Sequence, residues 1–248
     1  MRIASLSPGT TEILFALGVG KQIVCLDAES DEPEAARAVA HLAASIDSAA
    51  LVPFRPEIIF TSGQEQEVLA KELRAAGLAV VHQCPRSILT LYESIREIGV
   101  LLQCTARAHA LIEEMQQGFN EVKRKSGLFP RKPAVFVGTW EQGKWSSFPW
   151  AEDVTRFAGG RSVLSDTSAQ TLGELELVAL NPDLVVCCTG SGSVTPTMFL
   201  DEHPSFRSLR AASEGHFFIL ESGLLDRTGP RLTVAAKRLF GWMFQVLH

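Results

Sequence analysis

The 248-residue chain lacks the features that define several large classes of protein. No stretch approaches the roughly 18 consecutive apolar residues of a transmembrane helix. The 23 Lys and Arg and 28 Asp and Glu give a net charge of −5, and the basic residues are dispersed. This distribution argues against a nucleic-acid partner and against an anionic membrane surface. Five cysteines without a C-x-x-C spacing are too scattered for a disulfide scaffold, so we expect reduced, buried thiols.

Signatures of catalysis and of metal binding are also missing. The sequence contains no phosphate-binding G-x-x-x-x-G-K-[ST], no nucleophile G-x-S-x-G and no dinucleotide-binding G-x-G-x-x-G. Its six histidines are scattered without the spacing of a paired metal site. We therefore predict a protein that is not an enzyme and has no metal and no cofactor.

The amino-terminal residues show no charged, apolar and cleavable leader. As written, the chain is therefore predicted to be cytoplasmic. A processed mature chain would look the same and would be periplasmic or extracellular.

Strand and helix signals alternate through the first part of the chain. Helix-like stretches cover residues 10–17 and 64–76, and each is followed by Gly. The apolar, strand-like runs are residues 2–6, 22–26, 57–61 and 79–82. Continuous apolar strands separated by helices are typical of a parallel sheet that is covered on both faces.

Helical spacing of apolar residues then continues from residue 88 to residue 122. Thr105 is a plausible cap, which predicts two helices that meet near Cys104. The second, over about residues 106–125, would be roughly 30 Å long at 1.5 Å per residue. That length matches the diameter of a small domain.

A motif in the first half recurs in the second half. Pro56-Glu57 and Pro182-Asp183 each follow a Leu-Val pair and precede an apolar strand, and the two copies lie 126 positions apart. Strands are predicted at residues 134–138, 184–188 and 217–220. A repeat near half-length indicates two similar lobes.

We therefore predict an α/β protein built from two three-layer lobes with parallel-type sheets. The lobes would cover residues 1–103 and 128–248, with one long bridging helix over residues 104–127. A ligand cleft would lie between the lobes, because open α/β sheets bind ligands at the carboxyl ends of their strands.

Aromatic residues are concentrated in one short segment. Trp140, Trp145, Phe148 and Trp150 fall within eleven residues and include three of the four tryptophans. One interpretation is that these rings cap the core of the second lobe. The other, favoured by a loop position after a strand, is a wall for a large, partly apolar ligand.

The segment from Ser222 to Leu232 is the other distinctive stretch. Asp226 and Arg227 would either pair with each other or offer polar contacts to a ligand. Arg231 lies in the first turn of the closing helix, where a positive charge opposes the helix dipole, so we expect it to have a specific partner.

Three segments resemble one known family. They are the opening Arg2-Ile-Ala-Ser-Leu-Ser-Pro8-x-x-Thr11-Glu12-Ile-Leu-Phe-Ala-Leu-Gly18, the central Phe157-Ala-Gly-Gly160 and the closing Gly229-Pro-Arg-Leu232. Together they resemble the helix-bridged substrate-binding proteins of ABC importers, especially the cobalamin-binding branch. The resemblance implies a monomer that holds a corrinoid between two lobes and delivers it to a membrane permease without chemistry.

The resemblance also implies the residues of the site. The resemblance implies that loops that follow strands contact the ligand. The residues expected to make these contacts are Ser7, Pro8, Asp27, Thr61, Ser62, Gly63, Trp140, Trp145, Phe148, Trp150, Thr189, Gly190, Ser222, Leu224, Asp226 and Arg227. Glu67 is expected to contact the permease from the first lobe, and Asp201 or Glu202 from the second.

The sequence departs from the cobalamin-binding pattern at two places. Relatives often carry aromatic residues where this chain has Thr61 and Leu224-Leu225. Cobinamide, haem or a ferric siderophore therefore stay open as ligands.

Two other functions stay open. A two-lobed α/β transferase would need an acid–base pair, for which Glu141 and Asp226 are the best available residues. A cytoplasmic sensor or scavenger would keep the fold without a permease.

Overall fold

The computed structural model describes residues 1–43, 46–164, 171–189 and 194–248, which form two compact units. The first unit comprises Met1–Glu114 with Thr228–Pro230, and the second comprises Met115–Arg227 with Arg231–His248. Each unit contains its own β-sheet. The predicted α/β class is confirmed, whereas the three-part division at residues 104 and 128 and the cleft stay predictions.

The first unit is built on a four-stranded parallel sheet. Its strands run in the order β2-β1-β3-β4. The strands are β1 (Ile3–Ser5), β2 (Ile23–Leu26), β3 (Ile58–Ser62) and β4 (Val80–Gln83). All four were predicted from their apolar runs, and each forms where the sequence indicated.

Two helices of the first unit begin at residues that favour a helix start. The helices are α1 (Pro8–Ala16), α2 (Ser48–Leu51), α3 (Glu67–Ala75) and α4 (Ile88–Leu101). α1 begins with Pro8, whose fixed φ suits the first helical position. α4 begins with a capping box between Ser87 and Thr90. A short 3₁₀ turn, Gln64–Gln66, precedes α3, so that helix begins three residues later than predicted.

Helix α5 (Thr105–Ser126) matches the predicted long helix. Its 22 residues begin in the first unit and end in the second. The buried residues Ala108, Ile112, Met115, Phe119 and Val122 follow the three-to-four-residue period that predicted it.

The second unit contains a mixed sheet in the order β10-β9-β5-β6-β8, with β7 paired to β5. Its strands are β5 (Ala134–Glu141), β6 (Lys144–Ser146), β7 (Arg161–Ser162), β8 (Thr171–Leu172), β9 (Leu184–Thr189) and β10 (Phe217–Glu221). Its helices are α6 (Ala151–Phe157), α7 (Glu174–Leu180), α8 (Pro196–Glu202), α9 (Arg210–Ser213) and α10 (Leu232–Leu247). The strands β5, β7, β9 and β10 are parallel, whereas β6 and β8 are antiparallel to their neighbours.

A hairpin replaces the loop that the sequence predicted after residue 138. β5 continues to Glu141 and pairs with β6 across a turn at Gln142 and Gly143. These two residues have φ angles of 51° and 76°, as the tight two-residue turns of hairpins require. The parallel-type sheet predicted for the second unit therefore carries two antiparallel strands, β6 and β8, on one side of β5.

The repeated Pro-acid motif has the same structure in both units. Arg55 and Asn181, each directly before the proline, adopt left-handed backbone with φ of 43°. Glu57 then accepts the N–H of Arg2, 2.5 Å away, and Asp183 accepts the N–H of Ala134, 2.7 Å away. Each carboxylate thus binds backbone at the amino end of its unit's central strand, β1 or β5.

Asp183 also accepts hydrogen bonds from two guanidinium groups. Arg131 donates over 2.7 Å and Arg210 over 2.5 Å. Burial acts to raise the pKa of Asp183, but hydrogen bonds from Arg131, from the Ala134 N–H and from Arg210 outweigh it and lower the pKa from 3.8 to about 2. The carboxylate is therefore bound most strongly in its charged form.

The depressed pKa of Asp183 predicts that Asp183→Asn destabilises the second unit by about 2 kcal/mol at pH 7. A lowered folded-state pKa stabilises above the unfolded value near 3.8, and this contribution is lost as the pH falls toward 2. The difference between wild type and variant should therefore shrink between pH 5 and about pH 2.5. Urea unfolding across this range measures it.

Glu121→Gln is the matched control, since its exposed pair with Lys125 should affect stability little. A difference for Asp183→Asn that stays constant across the pH range would contradict this account.

Candidate functional site

In the first unit, the strand ends bring most of the predicted site residues of that unit to one edge. Ser5 lies opposite Leu26 and Phe60 in the sheet, and Ser62 lies opposite Gln83. Because parallel strands end at the same edge, the loops that follow them meet there. The predicted residues at this edge are Ser7, Pro8, Asp27, Thr61, Ser62 and Gly63.

A chain of buried hydroxyl groups holds two of these loops together. Thr11 Oγ1 lies 2.8 Å from Ser5 Oγ and 2.9 Å from Ser30 Oγ, and Ser30 Oγ donates to Asp27 Oδ2 over 2.6 Å. The other Asp27 oxygen accepts the N–H of Glu29, 2.8 Å away. Asp27 is buried, and both its oxygens bind its own loop. It positions the loop, and the prediction that it contacts a ligand stays untested.

Gln66 connects the loop after β1 to the loop after β3. Its Oε1 accepts the N–H of Ser62 over 2.8 Å, and its Nε2 donates to the Leu6 carbonyl over 2.5 Å. This role of Gln66 was not predicted, because the helical pattern of residues 64–76 places Gln66 inside a helix, whereas it lies in the turn that precedes α3. Thr61 and Ser62 are buried beside it, and Thr61 Oγ1 lies 2.9 Å from His82 Nδ1.

The corresponding edge of the second unit carries the ends of β5, β9 and β10. Thr189 ends β9 opposite Glu221, the last residue of β10. Thr189 is half-buried there, whereas the predicted contact Gly190 lies outside the described residues. The segment from Ser222 to Arg227 directly follows β10.

Asp226 organises this segment from within. It accepts the Ser222 hydroxyl over 2.6 Å and the Gly223 N–H over 2.5 Å. Arg231 donates to the Gly223 carbonyl over 2.7 Å, which supplies the specific partner expected for this arginine. Leu224 is only 5% exposed, so its side chain has little surface to offer a ligand.

The geometry gives no support to an acid–base pair of Glu141 and Asp226. Both carboxylate oxygens of Asp226 accept hydrogen bonds from its own loop, while Glu141 is exposed at the end of the hairpin, opposite Lys144. The Asp226 carboxylate holds the backbone of its own loop, and the Glu141 carboxylate faces solvent.

The four clustered aromatic residues divide into two pairs. Trp145 is 0% exposed and packs on Phe136, Phe199 and Phe206, with ring centroids 5.2, 5.9 and 5.4 Å away. The prediction that Trp145 contacts a ligand is therefore wrong, because the hairpin turns its ring into the core. Trp140 is half-buried against the same core, 4.9 Å from Phe206.

Phe148 and Trp150 form the second pair. Their rings are stacked, with centroids 5.7 Å apart and planes inclined by 15°, and both are half-buried. The Trp150 indole N–H donates to the Leu225 carbonyl over 2.6 Å. This bond attaches the aromatic pair to the segment that Asp226 organises, so that an apolar face and a polar loop are held together.

The predicted docking carboxylates are exposed. Glu67 is the first residue of α3 and pairs with Lys71 over 2.7 Å, and this hydrogen bond lowers the pKa of Glu67. Asp201 pairs with Arg207, and Glu202 is exposed at the end of α8.

The described part of the chain contains neither a membrane-spanning helix nor a cluster of metal-binding side chains. None of its helices is long and apolar enough to cross a membrane. Nor do its His, Cys, Asp and Glu side chains form any group of three or more that could hold a metal ion.

The chain matches the model of the periplasmic binding protein family over residues 3–224. It belongs to this family. Among relatives, it is 23% identical to the vitamin B12-binding protein of Photorhabdus laumondii, over 96% of this chain and 86% of that protein. It is 26% identical to the vitamin B12-binding protein of Yersinia pestis, over 67% of this chain and 61% of that one.

Solved structures of periplasmic binding proteins share the fold. A heme-binding protein from Pseudomonas aeruginosa matches with a TM-score of 0.86 and 21% identity, covering 100% of this chain and 94% of that one. A vitamin B12-binding protein from Vibrio cholerae matches with a TM-score of 0.81 and 18% identity, covering 99% and 97%. The predictions of a periplasmic binding protein and of its α/β fold are thus confirmed.

The division of the aromatic cluster predicts different effects on stability. Trp145→Ala should lower the free energy of unfolding by about 3–5 kcal/mol, because it empties a fully buried site. Trp145→Phe should retain more stability, because the indole N–H has no hydrogen-bond partner among the described residues. Trp150→Ala should cost clearly less than Trp145→Ala. Urea denaturation followed by far-UV circular dichroism gives the three values, and equal losses for both alanine variants would contradict this division.

Proposed function

We propose that this periplasmic binding protein is a non-enzymatic carrier for a corrinoid, cobalamin or a close relative, in ABC-type uptake or scavenging. The observation that carries the proposal is the match to the vitamin B12-binding protein of Photorhabdus laumondii over 96% of the chain. The family consists of binding proteins, which agrees with the missing catalytic signatures.

The aromatic pair of the second unit supports a large, flat ligand. Phe148 and Trp150 keep part of their ring surface exposed while the Leu225 carbonyl fixes the indole. A corrin ring is broad and partly apolar, with amide groups at its rim. Stacked aromatic rings bury such a surface, and nearby polar loop groups can bind the amides.

Preorganisation supports high affinity. The loops at each sheet edge are held by internal hydrogen bonds of Asp27, Gln66 and Asp226. Loops that are already ordered lose little conformational entropy when a ligand binds. These preordered loops therefore favour tight binding of a ligand without rearrangement of the protein.

Haem and ferric siderophores are the alternative ligands. Solved structures with this fold include both vitamin B12-binding and heme-binding proteins, so the fold does not choose between them. The chain's own binding spectrum distinguishes them, because each ligand has its own visible absorption.

Aquocobalamin is expected to quench the tryptophan fluorescence and to raise the melting temperature. Trp145→Phe should keep the quenching, whereas Trp150→Ala should weaken affinity by about tenfold through lost stacking. Fluorescence titration and differential scanning fluorimetry provide the measurements. Neither quenching nor a thermal shift at tens of micromolar ligand would overturn the corrinoid proposal, and an absorption band of haem or a ferric chelate in the purified protein would favour the alternatives.

We further propose that Glu67, with Asp201 or Glu202, contacts basic residues of a membrane permease. These carboxylates are exposed on helices of different units. The combined change Glu67→Lys and Glu202→Lys should abolish corrinoid uptake in cells, because reversing exposed charges hinders association with a permease of opposite charge. The affinity for the ligand should stay within about twofold of wild type. Glu72→Lys, an exposed carboxylate elsewhere on α3, is the control.

Uptake that survives both reversals would favour a sensor or scavenger without a permease. Fractionation of cells producing the protein decides between the periplasmic, extracellular and cytoplasmic predictions, and size-exclusion chromatography tests the predicted monomer.

A further inference from the structure

His82 lies at the carboxyl end of β4, beside the predicted ligand residue Thr61. The two residues are directly opposite each other in the parallel pair of β3 and β4. His82 Nδ1 lies 2.9 Å from Thr61 Oγ1. Histidines that bind metals commonly have one ring nitrogen held in this way by a polar group, which orients the other nitrogen.

The second ring nitrogen, Nε2, is available. No hydrogen bond reaches it from the part of the chain that the structure describes, and the ring is half-buried. Burial first, and the positive charge of Arg74 second, lower the pKa of His82, although Glu67 and Glu65 act in the opposite direction. The neutral imidazole therefore prevails at neutral pH. When Nδ1–H donates to Thr61, Nε2 carries the lone pair.

The surroundings restrict which metal this nitrogen could bind. Among the described residues, no three His, Cys, Asp or Glu side chains come together as a metal site. A single imidazole cannot hold a free ion against water, so the metal must bring its own equatorial ligands. A cobalt corrinoid is such a ligand, since its ring supplies four nitrogens and leaves the axial positions for exchange.

We propose that His82 Nε2 is an axial ligand to the cobalt of a corrinoid whose axial position carries water. The assignment rests on the proposed corrinoid function and narrows it to forms with an exchangeable axial position. The Nε2 lone pair forms the Co–N bond while the Co–O bond breaks, and water leaves with its own electron pair. The oxidation state of cobalt does not change, and no proton is transferred.

Two corrinoids separate this role from simple binding. Diaquocobinamide carries exchangeable water at both axial positions, whereas dicyanocobinamide has both positions filled by cyanide. Wild type should bind diaquocobinamide with a change in its visible spectrum. His82→Ala and His82→Gln should weaken the affinity for diaquocobinamide about tenfold or more, which is the loss typical of a metal site that loses a supporting group. The affinity of both variants for dicyanocobinamide should stay within about twofold of wild type.

Variants and spectroscopy make the assignment specific. Thr61→Val should weaken diaquocobinamide binding to a smaller degree, because it removes only the group that orients the ring. His109→Ala, which removes an exposed imidazole on α5, should change nothing. After reduction to Co(II), electron paramagnetic resonance should show nitrogen superhyperfine splitting in wild type and lose it in His82→Ala.

The possible outcomes distinguish the axial role of His82 from the proposed corrinoid-binding function on which it rests. Dicyanocobinamide binding to wild type, with no spectral change for diaquocobinamide and no effect of His82→Ala, would overturn the axial role and leave the corrinoid function standing. Failure of wild type to bind either cobinamide, together with failure to bind aquocobalamin, would overturn both. Loss of the splitting in His109→Ala rather than in His82→Ala would show adventitious coordination and would also overturn the assignment.

Discussion

A carboxylate that accepts a backbone N–H at the amino end of a central strand is the interaction on which each unit depends. Glu57 does this for β1 in the first unit, and Asp183 does it for β5 in the second. The same two residues donate their own N–H groups back to the carbonyls of Arg2 and Ala134, each over 2.7 Å. This exchange fixes the register of neighbouring parallel strands at their amino ends. The loops at the opposite ends consequently occupy defined positions at one edge.

Several polar side chains at these edges form hydrogen bonds within the protein. Asp27, Gln66 and Asp226 use their hydrogen-bonding atoms on neighbouring backbone and hydroxyl groups. Such groups shape a site without presenting charge to a ligand. In the second unit, Phe148 and Trp150 keep part of their ring surface exposed. In the first unit, His82 Nε2 receives no hydrogen bond from the described residues.

The repetitive parts of the fold could be predicted from the sequence, because periodicity reports burial. The apolar runs predicted the four strands of the first sheet and β5, β9 and β10 of the second, and the three-to-four-residue spacing predicted α5 nearly to its ends. The recurrence of Pro56-Glu57 as Pro182-Asp183 indicated the two similar halves, and both copies share a left-handed residue before the proline. These features depend on local pattern and composition alone.

The site could be predicted only in part, because side-chain direction depends on pairing that composition does not reveal. The turn at Gln142 and Gly143 converts an expected loop into a hairpin, and the hairpin sends Trp145 inward. Their spacing in the sequence does not distinguish the four clustered aromatic residues. In the structure only Phe148 and Trp150 of the four are stacked, and Trp150 donates its indole N–H to the Leu225 carbonyl. The roles of Gln66 and Asp226 likewise arise from tertiary hydrogen bonds, for which the sequence carries no signal beyond a polar residue near a glycine.

Hydrogen–deuterium exchange with and without cyanocobalamin shows whether the loops after the strands bind the ligand while the amino ends of the sheets do not, because it reports backbone protection along the whole chain. We predict that the ligand slows exchange in residues 61–66, 147–150 and 222–227. Exchange should stay unchanged around residues 55–58 and 181–184, at the amino ends of the sheets. Protection absent from all three of the first segments, or confined to the amino ends, would contradict it.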